Sequence, residues 1–298
     1  MHNPYKFYMG ANKPTNIMFI SNIRHLFISV FAVAALTGCG GSENEPTPTP
    51  PVVEPVDDVV FFDDFDSFNS AYWSKETHEA GWTNQELQSY STSQVKVGKD
   101  EGKTVLILTA KRTGNKVVSG RVNTKNKKYF KYGKVEASIK LPETANGLWP
   151  AFWMMGNNKQ EWPACGEIDI MEMGDAQGIA DGTSTTRVNT ALHYGPDVAG
   201  HEQQYFAGDA GSNLQDGKYH TYTLTWNENK IDVSVDDVKF HSFDITGNPY
   251  FHNDFYILFN LAVGGSFTGI YDIEGLTALK DGQTTSMYID WIKVTTTN

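Results

Sequence analysis

Residues Glu167–Glu172 constrain this chain more than any other six. They read Glu167-Ile168-Asp169-Ile170-Met171-Glu172, with carboxylates alternating among apolar residues in a run that otherwise has the character of a buried strand. A strand sends successive side chains to opposite faces. Glu167 and Asp169 then share one face, and Ile168 and Ile170 share the other. Strict alternation would bring Met171 to the acidic face and turn Glu172 into the core, where an acid is costly. One extra residue, a β-bulge near Ile170-Met171, returns Glu172 to the face of Glu167 and Asp169. Packing three like charges in one row costs stability, so the row points to chemistry. The pattern alone leaves catalysis, a metal site and a solvated strand face open.

The flanks narrow this. Upstream stand Trp149 and Trp153, followed by Trp162. Trp149 and Trp153 are four apart, so they share a face if that run is a strand. Indole faces are broad and apolar, and they stack on the C–H faces of sugar rings. Carboxylates beside tryptophans describe a site that holds a polysaccharide and cuts it.

The run 147–172 closely resembles glycoside hydrolase family 16, specifically its bacterial laminarinase-like endo-β-1,3-glucanases and β-1,3-1,4-glucanases. The resemblance covers nearly all of 58–298. It takes in the segments around Trp82-Thr83-Asn84-Gln85-Glu86, Ser119-Gly120-Arg121, Leu192-His193-Tyr194 and Asn260-Leu261-Ala262. The spacing of Asp169 and Glu172 matches the bulged form of the motif, not the shorter form of the lichenase and xyloglucan branches.

The resemblance implies a retaining mechanism, with two carboxyl groups about 5–5.5 Å apart flanking the bond. Glu167 is then the nucleophile, Glu172 the acid/base, and Asp169 the residue that orients the nucleophile. Trp149, Trp153 and Trp162 become sugar-stacking candidates, with core filling as their alternative. Asn84, Glu86 and Arg121 match polar cleft positions, with strand-end hydrogen bonding as theirs. His193 is placed to contact the acid/base or a sugar hydroxyl, or else is a satisfied structural group. Asn260 and the Gly264-Gly265 loop resemble a cleft-rim segment. Many laminarinases carry Trp soon after the paired glycines, whereas this chain has Ser266-Phe267. That departure leaves linkage preference open between β-1,3-glucan and mixed-linkage glucan. Catalysis calls for no cofactor. A structural calcium is implied at Asp64 and Asp290, since carboxylate oxygens suit that ion; two solvated acids are the alternative. Two other functions stay in view: a galactan-active enzyme of the same family, and a non-catalytic glycan-binding surface protein on the same fold.

The N-terminus reads as a processing segment. Residues 26–38 form an uncharged, largely apolar run behind Arg24. That is too short to span a bilayer comfortably and fits a secretory signal. It ends in Leu36-Thr37-Gly38-Cys39, which resembles the bacterial lipobox; an ordinary signal peptide with an incidental cysteine is the alternative. The expected layout is a lipoprotein signal over 1–38, a lipid anchor at Cys39 with a proline-rich linker over 39–57, and a catalytic domain over 58–298. Proline at the linker's density favours extended backbone and prevents a core. Glu43 and Glu45 resemble surface-export signals, so an outward-facing outer-membrane lipoprotein is expected. Cys165 then has no partner for a disulfide and reads as a small buried hydrophobe.

Formal net charge is −11, and the first 38 residues hold three Lys/Arg and no acids. So acidic a chain is a poor partner for nucleic acid or for a polyanionic glycan. A neutral β-glucan fits better, bound by a monomer. Past the linker, strands are predicted at 104–110, 132–141, 187–194, 219–226, 230–235 and 287–294 from Val, Ile, Thr and aromatic content. Turns are predicted at 227–229 and at Asp236-Asp237, with a further strand over 238–243. No long amphipathic helix is visible. The pattern predicts an all-β sandwich or barrel, which the resemblance narrows to a curved jelly roll with its cleft on the concave sheet.

Overall fold

A computed structural model of the chain describes residues 57–297. The leader, Cys39 and nearly all of the linker lie outside those residues. The described chain forms two β-sheets. The first runs Glu202–Asp209, Arg187–Tyr194, Glu167–Glu172, Leu148–Gly156, Phe255–Val263, Arg121–Asn123, Ser74–Lys75. The second has at its centre His220–Trp226, Gly133–Lys140, Thr284–Thr297 and Lys103–Thr113. Helix is minor, with one short α-helix at Ala176–Asp181. The predicted β-sandwich is what forms.

The predicted strands at 187–194 and 230–235 are Arg187–Tyr194 and Lys230–Val235. Those at 104–110 and 287–294 are the middles of Lys103–Thr113 and Thr284–Thr297. Both predicted turns form. Asn227 caps the first through its side-chain oxygen, which accepts from the Asn229 and Lys230 amides. Asp236 and Asp237 both take positive φ, 48° and 62°, the conformation a tight two-residue hairpin requires.

Between the sheets lies the core. Phe152 stacks on Phe259 with centroids 4.8 Å apart, and Trp73 packs against Phe259 at 5.7 Å. Trp73 is tied at its edge by Nε1 donating to Asp63 Oδ2 at 2.8 Å. Along Leu148–Gly156 alternate residues divide cleanly: Phe152 and Met154 are fully buried in the core, while Trp149, Ala151, Trp153 and Met155 line a cleft on the opposite face.

The acidic strand breaks its own alternation at the predicted place. Phe152 pairs with Met171 but Trp153 pairs with Asp169, so Ile170 is the extra residue. The same shift appears against the next strand, where Asp169 pairs with Ala191 and Glu172 with Asn189. Ile170 and Met171 both turn into the core and are fully buried. Each such side chain contributes about 1.5–3 kcal/mol by leaving water. A bulge-free register would expose Met171 and bury Glu172 among apolar groups, so both effects favour the bulge.

Candidate active site

Gly166 opens the acidic strand with φ of +83°. A Cβ there would sit 2.7 Å from the Tyr250 carbonyl oxygen and 2.9 Å from the Phe255 ring. Only glycine allows the backbone to pass this closely and deliver Glu167 to the cleft face. Glu167, Asp169 and Glu172 all line one cleft of about 760 Å³. His193, cross-strand from Glu167, sets its Nε2 3.2 Å from Asp169 Oδ2 and 3.9 Å from Glu167 Oε1. Its Nδ1 lies 3.0 Å from His201 Nε2. Trp149 Nε1 donates to Glu172 Oε1 at 2.8 Å.

Burial pushes all three carboxyls above the usual range, and each negative neighbour adds to the effect for Glu167 and Glu172. Each carboxyl therefore holds its proton more tightly than a solvated one would. The two glutamates also have unlike neighbours. The Arg121 guanidinium pulls Glu167 down, and the Asp175 carboxylate pushes Glu172 up. The Trp149 indole donating to Glu172 pulls that carboxyl down in turn, so the roles of the two glutamates rest on the family motif and not on these charges.

One wall is built on Arg121. It pairs with Glu76, which also accepts from Asn123 Nδ2. Burial pushes Glu76 up, but Arg121 and the hydrogen bonds from His78 and Arg121 outweigh it and bring it to about 2. The Arg121 guanidinium lies 4.7 Å from the Trp153 ring and 5.3 Å from that of Trp82. Trp153 Nε1 donates to Asn260 Oδ1 at 2.7 Å. Glu86 is buried and accepts from Gln88 Nε2 and from Asn84 Nδ2. Asn84 Oδ1 is buried without a hydrogen-bond partner, an acceptor that a sugar hydroxyl can satisfy.

Every predicted catalytic and subsite residue except His193 lines the cleft, and His193 contacts two that do. Two expectations need correcting. Asn260 is not at the rim; it lies within the wholly buried strand Phe255–Val263, opposite Ala151 on the cleft floor. Trp149 is not an open stacking platform. It is 8% exposed, and Phe267 stacks on it at 4.5 Å. The departure Ser266-Phe267 thus covers the tryptophan that holds Glu172. Trp162 does line the cleft, packed on His201 at 4.8 Å.

Sequence reasoning missed Glu76, Trp82 as a lining residue, His201, Asp175 and Asn189. Asp175 accepts from Arg187 Nε at 2.9 Å and from Asn189 Nδ2 at 3.3 Å. None of these carries a local pattern, because each is brought in by pairing across strands or by a returning loop. Cys165 is buried, and burial with the nearby Glu167 charge pushes its thiol up to about 12, which makes it inert as expected.

The calcium expectation meets a different arrangement. Asp290 Oδ2 takes the Lys103 ammonium at 2.5 Å. Asp64 is exposed and accepts from the Asp66 amide. Calcium takes six to eight oxygens, and a lysine holds the cation position at Asp290. Among the described residues, Glu167, Asp169 and His193 form a cluster whose ligand atoms lie within 4.8 Å of one another, the imidazole standing nearer Asp169 than Glu167.

The family model for glycosyl hydrolases family 16 matches residues 82–293. This chain belongs to that family. The match takes in every cleft residue named above except Glu76 and His78. Among similar family 16 proteins is a solved structure from Bacteroides ovatus, a mixed linkage glucan GH16 in complex with a G4G4G3G product. It is 65% identical with a TM-score of 0.78, covering 78% of this chain and 99% of that one. The glucan endo-1,3-beta-glucosidase A1 of Niallia circulans is 30% identical over 285 residues, 83% of this chain and 39% of that protein. The clotting factor G alpha subunit of Tachypleus tridentatus is 31% identical over 254 residues, 81% of this chain and 34% of that protein. The chain thus spans little more than a third of the length of these two curated relatives.

Proposed function

We propose that this protein is a retaining endo-glucanase acting on mixed-linkage β-1,3-1,4-glucan. The observation that carries the reaction is the bulge at Ile170, which aims Glu167, Asp169 and Glu172 into one cleft. Glu167 attacks the anomeric carbon while Glu172 gives its proton to the departing oxygen. The covalent glycosyl-enzyme removes the charge on Glu167, so Glu172 holds its new negative charge more easily and can take a proton from water. That water attacks from the face the leaving sugar vacated, and the β configuration returns. A glycan-binding protein would have no use for three carboxylates crowded into one row, which costs stability.

The linkage is supported by similarity to the Bacteroides ovatus structure, whose bound product belongs to a mixed-linkage glucan. Assaying mixed-linkage glucan, laminarin and agarose side by side should give the highest kcat/KM on the first. Proton NMR early in hydrolysis should show the β-anomer forming first. An initial α-product would mean inversion and would defeat the assignment of both glutamates.

We further propose that the protein is a lipoprotein anchored at Cys39 to the outer membrane. Support comes from Leu36-Thr37-Gly38-Cys39 and the proline-rich stretch after it. Cys39→Ala should move the protein out of the membrane fraction; unchanged fractionation would remove the anchor.

A further inference from the structure

An enzyme that cuts within a glucan must hold sugars on both sides of the bond. Of the cleft walls described above, Arg121, Trp153 and Asn260 all lie beyond the acidic strand toward Arg121–Asn123, and Trp162 stands at the end beside His193 and His201. The other side is Arg187–Tyr194 and the edge strand Glu202–Asp209. There the register runs Asp169 to Ala191 to Tyr205. Directly opposed residues on paired antiparallel strands point to the same face, so Tyr205 stands on the catalytic face. Ala191 offers only a methyl, which leaves a low floor beside Asp169. Tyr205 rises beyond it and is 49% exposed.

A scattered exposed aromatic is ordinary, but this one is fixed. Its hydroxyl donates to Asn189 Oδ1. Asn189 is fully buried, and its Nδ2 donates at 3.3 Å both to the Glu172 carbonyl and to Asp175 Oδ1. The ring is therefore held by the segment that carries Glu172, with its body in solvent. A rigid ring beside a shallow floor loses little entropy when a sugar stacks on it.

We propose that Tyr205 is the stacking platform of a leaving-group subsite, binding the glucosyl unit that departs with the proton from Glu172. This rests on the glucanase reading. Binding on that side acts only while a sugar is present there, so it assists cleavage of a chain and capture of an acceptor sugar by the glycosyl-enzyme.

The test compares two substrates of the intact protein. One is mixed-linkage glucan. The other is a mixed-linkage trisaccharide β-fluoride, whose leaving group is a single atom. Tyr205→Ala should lower kcat/KM on the polysaccharide by roughly ten- to a hundred-fold, the range for truncating an aromatic anchor. It should leave fluoride hydrolysis near wild type and abolish transfer from the fluoride to added cellobiose. Tyr205→Phe, which keeps the ring, should retain most activity on both. Equal losses on both substrates would mean a general structural effect, and would overturn the subsite. So would an unchanged polysaccharide rate, or a Phe variant as impaired as Ala. A wild type inactive on every glucan would instead defeat the functional reading itself.

Discussion

Glu172→Ala is expected to lose roughly 10²–10⁴-fold in kcat/KM on β-glucan, the range for general acid–base assistance. The departing sugar is a poor leaving group and needs the proton. An aryl glycoside with an acidic phenol needs it far less, so glycosylation on that substrate should survive much better. The glycosyl-enzyme would then accumulate, because no base remains to activate water. Azide needs no base, so adding it should speed turnover and give a β-glycosyl azide. The pH profile carries independent information. Burial and the Asp169 and Asp175 charges push Glu172 up, so it keeps its proton above the ordinary carboxylate range. Wild-type activity should fall as pH rises through that value, and the variant should lack this alkaline limb. Activity on glucan within a few-fold of wild type would take Glu172 out of the acid/base role, and Asp169 would be the first replacement to try.

Much of the site was legible because its logic is local. The alternation of Glu167–Glu172 demanded a bulge, since any other register buries an acid and exposes a methionine. The four-residue spacing of Trp149 and Trp153 placed both on the cleft face for the same periodic reason. What stayed hidden depended on distant partners. Nothing local in Phe255–Val263 separates a strand with both faces covered from any other apolar run, so the resemblance groups Asn260 with the Gly264-Gly265 loop at the cleft rim. Trp149 carries no mark showing that Phe267, more than a hundred residues on, covers its ring. Glu76 looks like any solvated acid until pairing sets it against Arg121. Tyr205 looks like any polar-strand aromatic until the register with Ala191 turns it toward the acids. Asp64 and Asp290 fit the expected calcium positions in sequence, yet Lys103 arrives at Asp290 from a paired strand.

Glu167→Ala should have the largest effect of all, a loss of more than about 10⁴-fold on every substrate, beyond what general acid–base groups supply. Without the nucleophile no covalent intermediate forms, and an activated aryl leaving group does not help unless a substitute nucleophile enters. Azide can enter the space the side chain vacates. It would attack once and give an α-glycosyl azide, opposite in configuration to the product from Glu172→Ala. A β-azide from Glu167→Ala would show that another group still forms the intermediate. The conservative change Glu167→Gln tests the electrostatic cost of the site separately from its chemistry. Burial raises the folded-state pKa of Glu167 above its unfolded value. The neutral carboxyl is therefore tolerated at low pH, and stability is lost as pH rises from the unfolded pKa through the folded one. Glutamine never ionises. Glu167→Gln should thus be inactive yet melt at a higher temperature than wild type near pH 8, with the gain disappearing near pH 4. A melting temperature unchanged or lowered at the higher pH would mean that Glu167 bears its charge without strain, and the raised pKa of its carboxyl would have to be abandoned.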